Sequence, residues 1–184
     1  MKKILVILAP GFEEIEAITV IDILRRAGLH VVVAGTQPGP IVASRQTKHL
    51  PDVLLDDVRP DDFDAVVLPG GQPGTTNLRN DPRVRKLLEH FDARQQPIAA
   101  ICAAPTILAA SGLLKNRAAT SHPTARDEVA AHAAQYREDR VVTDGPIITS
   151  RAAGTAMEFA FELVRQWAGE EKVAEVNRSV MARL

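Results

Sequence analysis

The 184 residues are 46% hydrophobic and carry 22 basic against 23 acidic side chains, a formal net charge of -1. That length can bury most of its unfolded surface in one core, so a single domain over residues 1–184 is expected, and the charge balance gives no reason to expect nucleic acid or an anionic membrane as partner. A lone cysteine excludes an internal disulfide and a multi-thiolate metal site; the opening MKKILVILAPGFEEIEA has a short apolar run followed by glutamates and no cleavage site, no run is long enough to span a membrane, and a soluble cytoplasmic protein is expected.

In chain order the pattern predicts a strand at 3–9 (KILVILA), a helix over 13–27 and a strand at 30–35 (HVVVAG). Residues 36–61, rich in Pro and Asp, read as a hairpin or irregular excursion between core elements. Then come a strand at 64–71 (DAVVLPGG), a helix at 82–94, a strand at 97–102 (PIAAIC) and helices at 103–111 and 124–134. A strand at 146–150 (PIITS) and helices at 155–167 and 170–179 close the chain. The apolar runs do not alternate, so they are expected to be buried on both faces, in a mostly parallel α/β sheet with helices on each side. In such sheets sites form at the carboxyl ends of strands, which directs attention to LAPGFEE, LPGGQPG and AICAAP.

Neither glycine-rich junction reads as a nucleotide site. The first lacks G-x-G-x-x-G and puts Glu13 and Glu14 where a pyrophosphate would sit, and the second lacks the phosphate-loop Lys-Ser/Thr. No cofactor is expected. No metal is expected either: there is no HExxH, and His30, His49, His90 and His132 have no partner at ligand spacing.

AICAAP places Cys102 at a strand-to-helix turn, the position that exposes a nucleophile at the end of a sheet. A helix starting near Ala103 would turn its free N–H groups toward the sulfur and favour thiolate. Position alone is equally compatible with a small buried hydrophobe. The first helix breaks that tie. At about 100° per residue, Ala17, Val20, Leu24 and Ala27 share a core-facing sector with Glu14 and Arg25 opposite, and Glu16 falls inside the apolar sector. A carboxyl group desolvated there should titrate high and suits proton transfer to or from a thiolate. Gly70 and Gly71 offer main-chain amides for an oxyanion, together with the amide of Ala103, although a turn needing only positive φ reads the same way. His122, after a short strand in TSHPTARDE, is placed to exchange protons with the cysteine, a weak signal by itself.

The stretches LVILAPGFEEIEA, DILRRAG, VVLPGG, AAICAAPTILA, SHPTARD, DGPIITSR and GTAMEFAFELV, in this order across nearly the whole chain, resemble the ThiJ/PfpI superfamily, in the branch of the Parkinson-associated protein deglycase and bacterial YajL. The resemblance implies a flavodoxin-like α/β sandwich and a homodimer. It implies roles for Cys102 as reactive cysteine, Glu16 as its carboxyl partner, His122 as a nearby histidine, and the amides of Gly71 and Ala103 as the oxyanion site. Arg26 and Arg45 match arginines near the pocket and dimer interface, with Gly70 beside them as a substrate or anion contact. Ile15 and Ile18, an apolar pair outside the core-facing sector, agree with a dimer.

Four positions depart from the pattern. Ala103 replaces the histidine of peptidase-like members, which argues against proteolysis. Ala153 stands where relatives carry proline, at the expected pocket rim. Ala43 and Leu50 stand where the human protein has further cysteines, so redox chemistry would run through Cys102 alone. The implied activity is cofactor-independent turnover of methylglyoxal, glyoxal or their early protein adducts, of glyoxalase III or deglycase type. The alternative is a redox sensor or chaperone whose cysteine oxidises to a sulfinate.

Overall fold

The computed structural model describes residues 1–182. The expected domain, 1–184, includes two residues outside that range. The strands are β1 (Lys3–Leu8), β2 (His30–Gly35), β3 (Ile41–Val42), β4 (Lys48–His49), β5 (Val53–Leu54), β6 (Ala65–Leu68), β7 (Ile98–Ile101), β8 (Ala118–Ala119), β9 (Gln135–Tyr136), β10 (Val141–Asp144) and β11 (Ile147–Ser150). The helices are α1 (Glu14–Arg26), α2 (Gly74–Asn80), α3 (Pro82–Ala93), α4 (Pro105–Ala110), α5 (Arg126–His132), α6 (Ala156–Ala168) and α7 (Glu170–Val180).

Seven strands form one sheet in the order β10-β11-β7-β6-β1-β2-β5, parallel throughout except for the antiparallel β10–β11 pair. The period of two along β1 divides its side chains between two cores. Ile4, Val6 and Leu8 join Val20 and Leu24 of α1 and Phe159 and Leu163 of α6 on one face. Leu5 and Ile7 join Leu88 and Phe91 of α3 and Leu108 of α4 on the other. With helices on both sides, the central strands are apolar on every residue except Lys3 at the start of β1, hence the absence of alternation in the sequence. This is the flavodoxin-like α/β architecture.

The differences from the sequence expectation have local causes. β6 ends at Leu68 because Pro69–Gly71 turn away from the ladder. α4 begins at Pro105, two residues later than expected, because the chain first turns through Cys102. The excursion at 36–61 does contain a hairpin, β3–β4, and then supplies β5 as an edge strand beside β2. The expected helix at 124–134 is a 3-10 turn at Pro123–Ala125 followed by the shorter α5. α2 escapes a propensity reading because GTTNLRN is poor in helix formers and has a single apolar residue. The two-residue strands are too short to show a period.

Phe159 is fully buried between α6 and the sheet. Phe159→Ala is expected to lower the unfolding free energy by about 3–5 kcal/mol, measured by urea titration; a loss below about 1 kcal/mol would show that α6 is not packed as described.

Candidate active site

Parallel pairing aligns the carboxyl ends of β1, β6, β7 and β11, and the loops leaving them meet on one edge of the sheet. Cys102 follows β7 directly and has φ of 67°, in the left-handed region that a residue with a Cβ avoids at a cost of order 1–3 kcal/mol. Two main-chain hydrogen bonds hold it there. Its N–H donates to Ser150 O (2.9 Å), and its carbonyl accepts from the N–H of His122 (2.8 Å).

Glu16 lies in the first turn of α1 and is 1% exposed. Its Oε2 accepts from the N–H of Gly70 (2.8 Å), while its own N–H donates to Glu13 Oε2 (2.9 Å), so Glu13 serves as the helix cap. Glu16 Oε1 is buried and has no partner of standard hydrogen-bond geometry, yet the carboxyl and the Cys102 thiol are close enough to perturb each other's ionisation.

Gly70 makes this approach possible. A Cβ at position 70 would lie 2.7 Å from both Cys102 Cβ and Glu16 Oε2. Gly71 has φ of 90°, and a Cβ there would lie 2.5 Å from the Glu13 nitrogen. The glycines are therefore required for close approach as well as for the turn.

Burial pushes the Glu16 carboxyl up to about 7, with the Glu13 charge adding to the rise; contact with the Cys102 thiol and the Gly70 N–H pull it back. Burial also drives the Cys102 thiol well above its ordinary range, reinforced by the Glu16 charge and hydrogen bond and opposed by the N–H groups of Ala103 and Gly71. This corrects the expectation that a helix terminus favours thiolate. α4 starts only at Pro105, is six residues long, and is outweighed by desolvation and the neighbouring carboxylate. The two groups form a coupled pair that does not hold two negative charges near neutrality, so thiolate forms where Glu16 keeps the proton.

Cys102, Glu16, Gly70, Gly71 and Ala103 thus converge. The amides of Gly71 and Ala103 reach the sulfur. The Gly70 N–H, expected to meet a substrate or anion, is given to Glu16 in this structure. His122 is tied to Cys102 through the main chain, with its Nδ1 turned to the N–H (3.2 Å) and hydroxyl (2.8 Å) of Thr124. With Nδ1 accepting, the imidazole carries its proton on Nε2.

Within this chain Arg26 lies ten residues beyond Glu16 on the same helix, about 15 Å along the axis, and is paired with Asp22. Arg45 has an exposed side chain on the β3–β4 connection, and its N–H donates to Glu14 Oε1 (2.8 Å). That connection leans on the loop after β1 through Ser44 N–H to Phe12 O (2.8 Å). Ala153 begins the 3-10 turn just past β11, on the same edge as Cys102.

Sequence reasoning missed Glu13 as the cap and Ser150 as the acceptor for the cysteine N–H. Ser150 ends a predicted strand, so the strand-end rule that singled out Cys102 applied to it too. Two surface hollows of about 590 Å³ each lie away from Cys102, one beside β2 and one along α1. Among the described residues no cluster of three or more His, Cys, Asp or Glu is arranged to hold a metal, and no helix is long and apolar enough to cross a membrane.

The raised Glu16 pKa has a consequence for stability. Folding favours the protonated carboxyl, so this contribution is complete below the unfolded-state pKa and is lost as pH rises through about 7. Glu16→Gln is expected to be more stable than the parent at pH 9, by on the order of 2 kcal/mol, with the advantage vanishing near pH 4. Denaturant titrations at the two pH values measure this, and a pH-independent difference would contradict it.

A family model described as the DJ-1/PfpI family matches residues 2–166. "Protein dj-1beta" of Drosophila melanogaster is 44% identical over 181 residues, covering 98% of this chain and 97% of that protein. The "glutathione-independent glyoxalase DJR-1.2" of Caenorhabditis elegans is 39% identical over 172 residues, covering 93% of this chain and 91% of that protein. The crystal structure of Drosophila melanogaster DJ-1beta superposes with a TM-score of 0.95 at 43% identity, covering 100% of this chain and 99% of that one. With a model spanning most of the chain and relatives aligned nearly end to end, the chain belongs to the DJ-1/PfpI family.

Proposed function

We propose that the protein is a cofactor-independent cysteine enzyme that converts 2-oxoaldehydes such as methylglyoxal and glyoxal to 2-hydroxy acids, and acts on their early protein adducts, in the cytoplasm. The observation that carries this reading is the convergence of Cys102, on a strained elbow beside two main-chain amides, with the buried high-pKa carboxyl of Glu16. The name of the Caenorhabditis relative supports it.

The reaction needs no oxidant. Cys102 Sγ, as thiolate, adds to the aldehyde carbon, and the Gly71 and Ala103 N–H groups stabilise the resulting alkoxide, which takes a proton to give a hemithioacetal. Glu16, as carboxylate, removes the hydrogen from that carbon to give an enediol and returns a proton to the neighbouring carbon. The product is a 2-hydroxy thioester. Water then displaces the sulfur, so methylglyoxal plus water becomes lactate and the free thiol returns. A carboxyl with pKa near 7 suits this work because it can both donate and accept near neutrality. His122 assists the proton movements of the hydrolytic step.

The working unit in this proposal is a homodimer formed through the exposed face of α1. Ile15, Ile18 and Met157 are exposed large apolar side chains that line, with Val180, a groove of about 590 Å³. Arg26 and Arg45 belong to that interface.

Lactate formation from methylglyoxal by the purified protein is the test. Cys102→Ala and Glu16→Gln are each expected to reduce turnover at least about a hundredfold, whereas unchanged turnover in both would rule out the mechanism. Addition of two oxygens at Cys102 under mild peroxide, with no dicarbonyl turnover, would favour the redox-sensor reading instead. For the assembly, sedimentation is expected to show a dimer that Ile15→Glu plus Ile18→Glu converts to monomer; a monomeric parent would refute the interface.

A further inference from the structure

Past the end of β11, two hydroxyl groups form a buried knot that neither the elbow nor the proposed chemistry explains. Ser150 is fully buried and Thr155 is 3% exposed. Their oxygens lie 2.6 Å apart. Ser150 Oγ donates to Arg140 O (2.7 Å), which uses its only hydrogen, so toward Thr155 it acts as acceptor. Thr155 Oγ1 donates there, with Ala152 O (2.9 Å) as the competing acceptor, and it accepts the N–H groups of Ala152 (3.1 Å) and Arg151 (3.2 Å). The result is a directed chain: two main-chain N–H groups to Thr155, Thr155 to Ser150, and Ser150 to the Arg140 carbonyl.

The knot bears on Cys102 because Ser150 O is the acceptor for the Cys102 N–H. A positive-φ residue with a Cβ persists only where its surroundings over-determine it. At Cys102 the restraints are this bond, the His122 N–H on its carbonyl, and the absence of space beside Gly70. The His122 segment is backed by the buried Ser121 hydroxyl on the His122 carbonyl (3.2 Å), and the Ser150 bond by the shorter, doubly anchored Ser150–Thr155 pair (2.6 Å).

We propose that Ser150 and Thr155 are positioning residues for the reactive cysteine. Their hydroxyl pair fixes the end of β11, and so keeps the Cys102 sulfur on the Gly71 and Ala103 amides and against Glu16. The pair touches no substrate. This proposal rests on Cys102 being the reactive centre, and its test uses a readout independent of dicarbonyl turnover.

That readout is the pH dependence of Cys102 alkylation by iodoacetamide, followed by intact mass. In the parent, coupling to Glu16 gives a two-step profile, the first step near 7. Thr155→Val keeps the shape but removes the hydroxyl, leaving two N–H groups without an acceptor and the Ser150 oxygen without a donor. Its profile is expected to collapse to one step near the ordinary cysteine value of about 8.5, with Thr155→Ser restoring two steps. Ser150→Ala removes the other hydroxyl of the pair and is expected to behave as Thr155→Val; it decides the matter if the valine variant does not fold. Thermal unfolding is recorded alongside. A folded Thr155→Val or Ser150→Ala with the parent's two-step profile and only a lowered midpoint would show a structural role and overturn the proposal. If the parent alkylates in two steps but makes no lactate, the function assigned to the site fails while the positioning role stands.

Discussion

The site depends on a single constraint: two acidic groups, the Cys102 thiol and the Glu16 carboxyl, share a buried space that does not accommodate both charges. Desolvation raises both. Each ionised group would raise the other further, so near neutrality the pair retains at least one proton. Where that proton resides decides the chemistry. On Glu16 it leaves a nucleophilic sulfur beside a proton donor, and on sulfur it leaves a carboxylate able to act as base. A hydrolytic isomerisation of a 2-oxoaldehyde calls on both states in turn.

The backbone is built around that constraint. Gly70 carries no Cβ, so the helix-borne carboxyl can reach the strand-borne thiol. Its N–H binds one carboxyl oxygen, and the other is buried without a partner of standard hydrogen-bond geometry. Cys102 itself is held in a conformation that a side chain disfavours, with its N–H and carbonyl each committed to a partner on a different segment. The parallel sheet brings these loops to one edge, and the two apolar cores on its faces supply the rigidity that keeps them there.

Much of this was legible in the sequence. Glu16 was visible because a carboxyl at a core-facing position of an amphipathic helix has no ordinary structural explanation, and it is indeed 1% exposed. The apolar strands and the elbow address of Cys102 followed from composition and strand order. The start of α4 did not, because Ala103 and Ala104 favour helix and only the positive φ at Cys102 delays it. The Gly70 amide looked free for a ligand; that Glu16 takes it depends on a contact 54 residues apart in sequence. The resemblance puts Arg26 near the pocket and a dimer interface, and within this chain it stands at the far end of α1 from Glu16. Ser150 and Thr155 are ordinary hydroxyl residues in sequence, and only the fold reveals that they share a hydrogen bond.

The most direct measurement of the shared proton is the titration of the Glu16 side-chain carboxyl carbon by NMR, with Glu16→Gln used to assign the signal. The account predicts a midpoint near 7 in the parent protein. A midpoint in the ordinary glutamate range, about 4.3, would mean that Glu16 is an ionised bystander at neutral pH and would contradict the account.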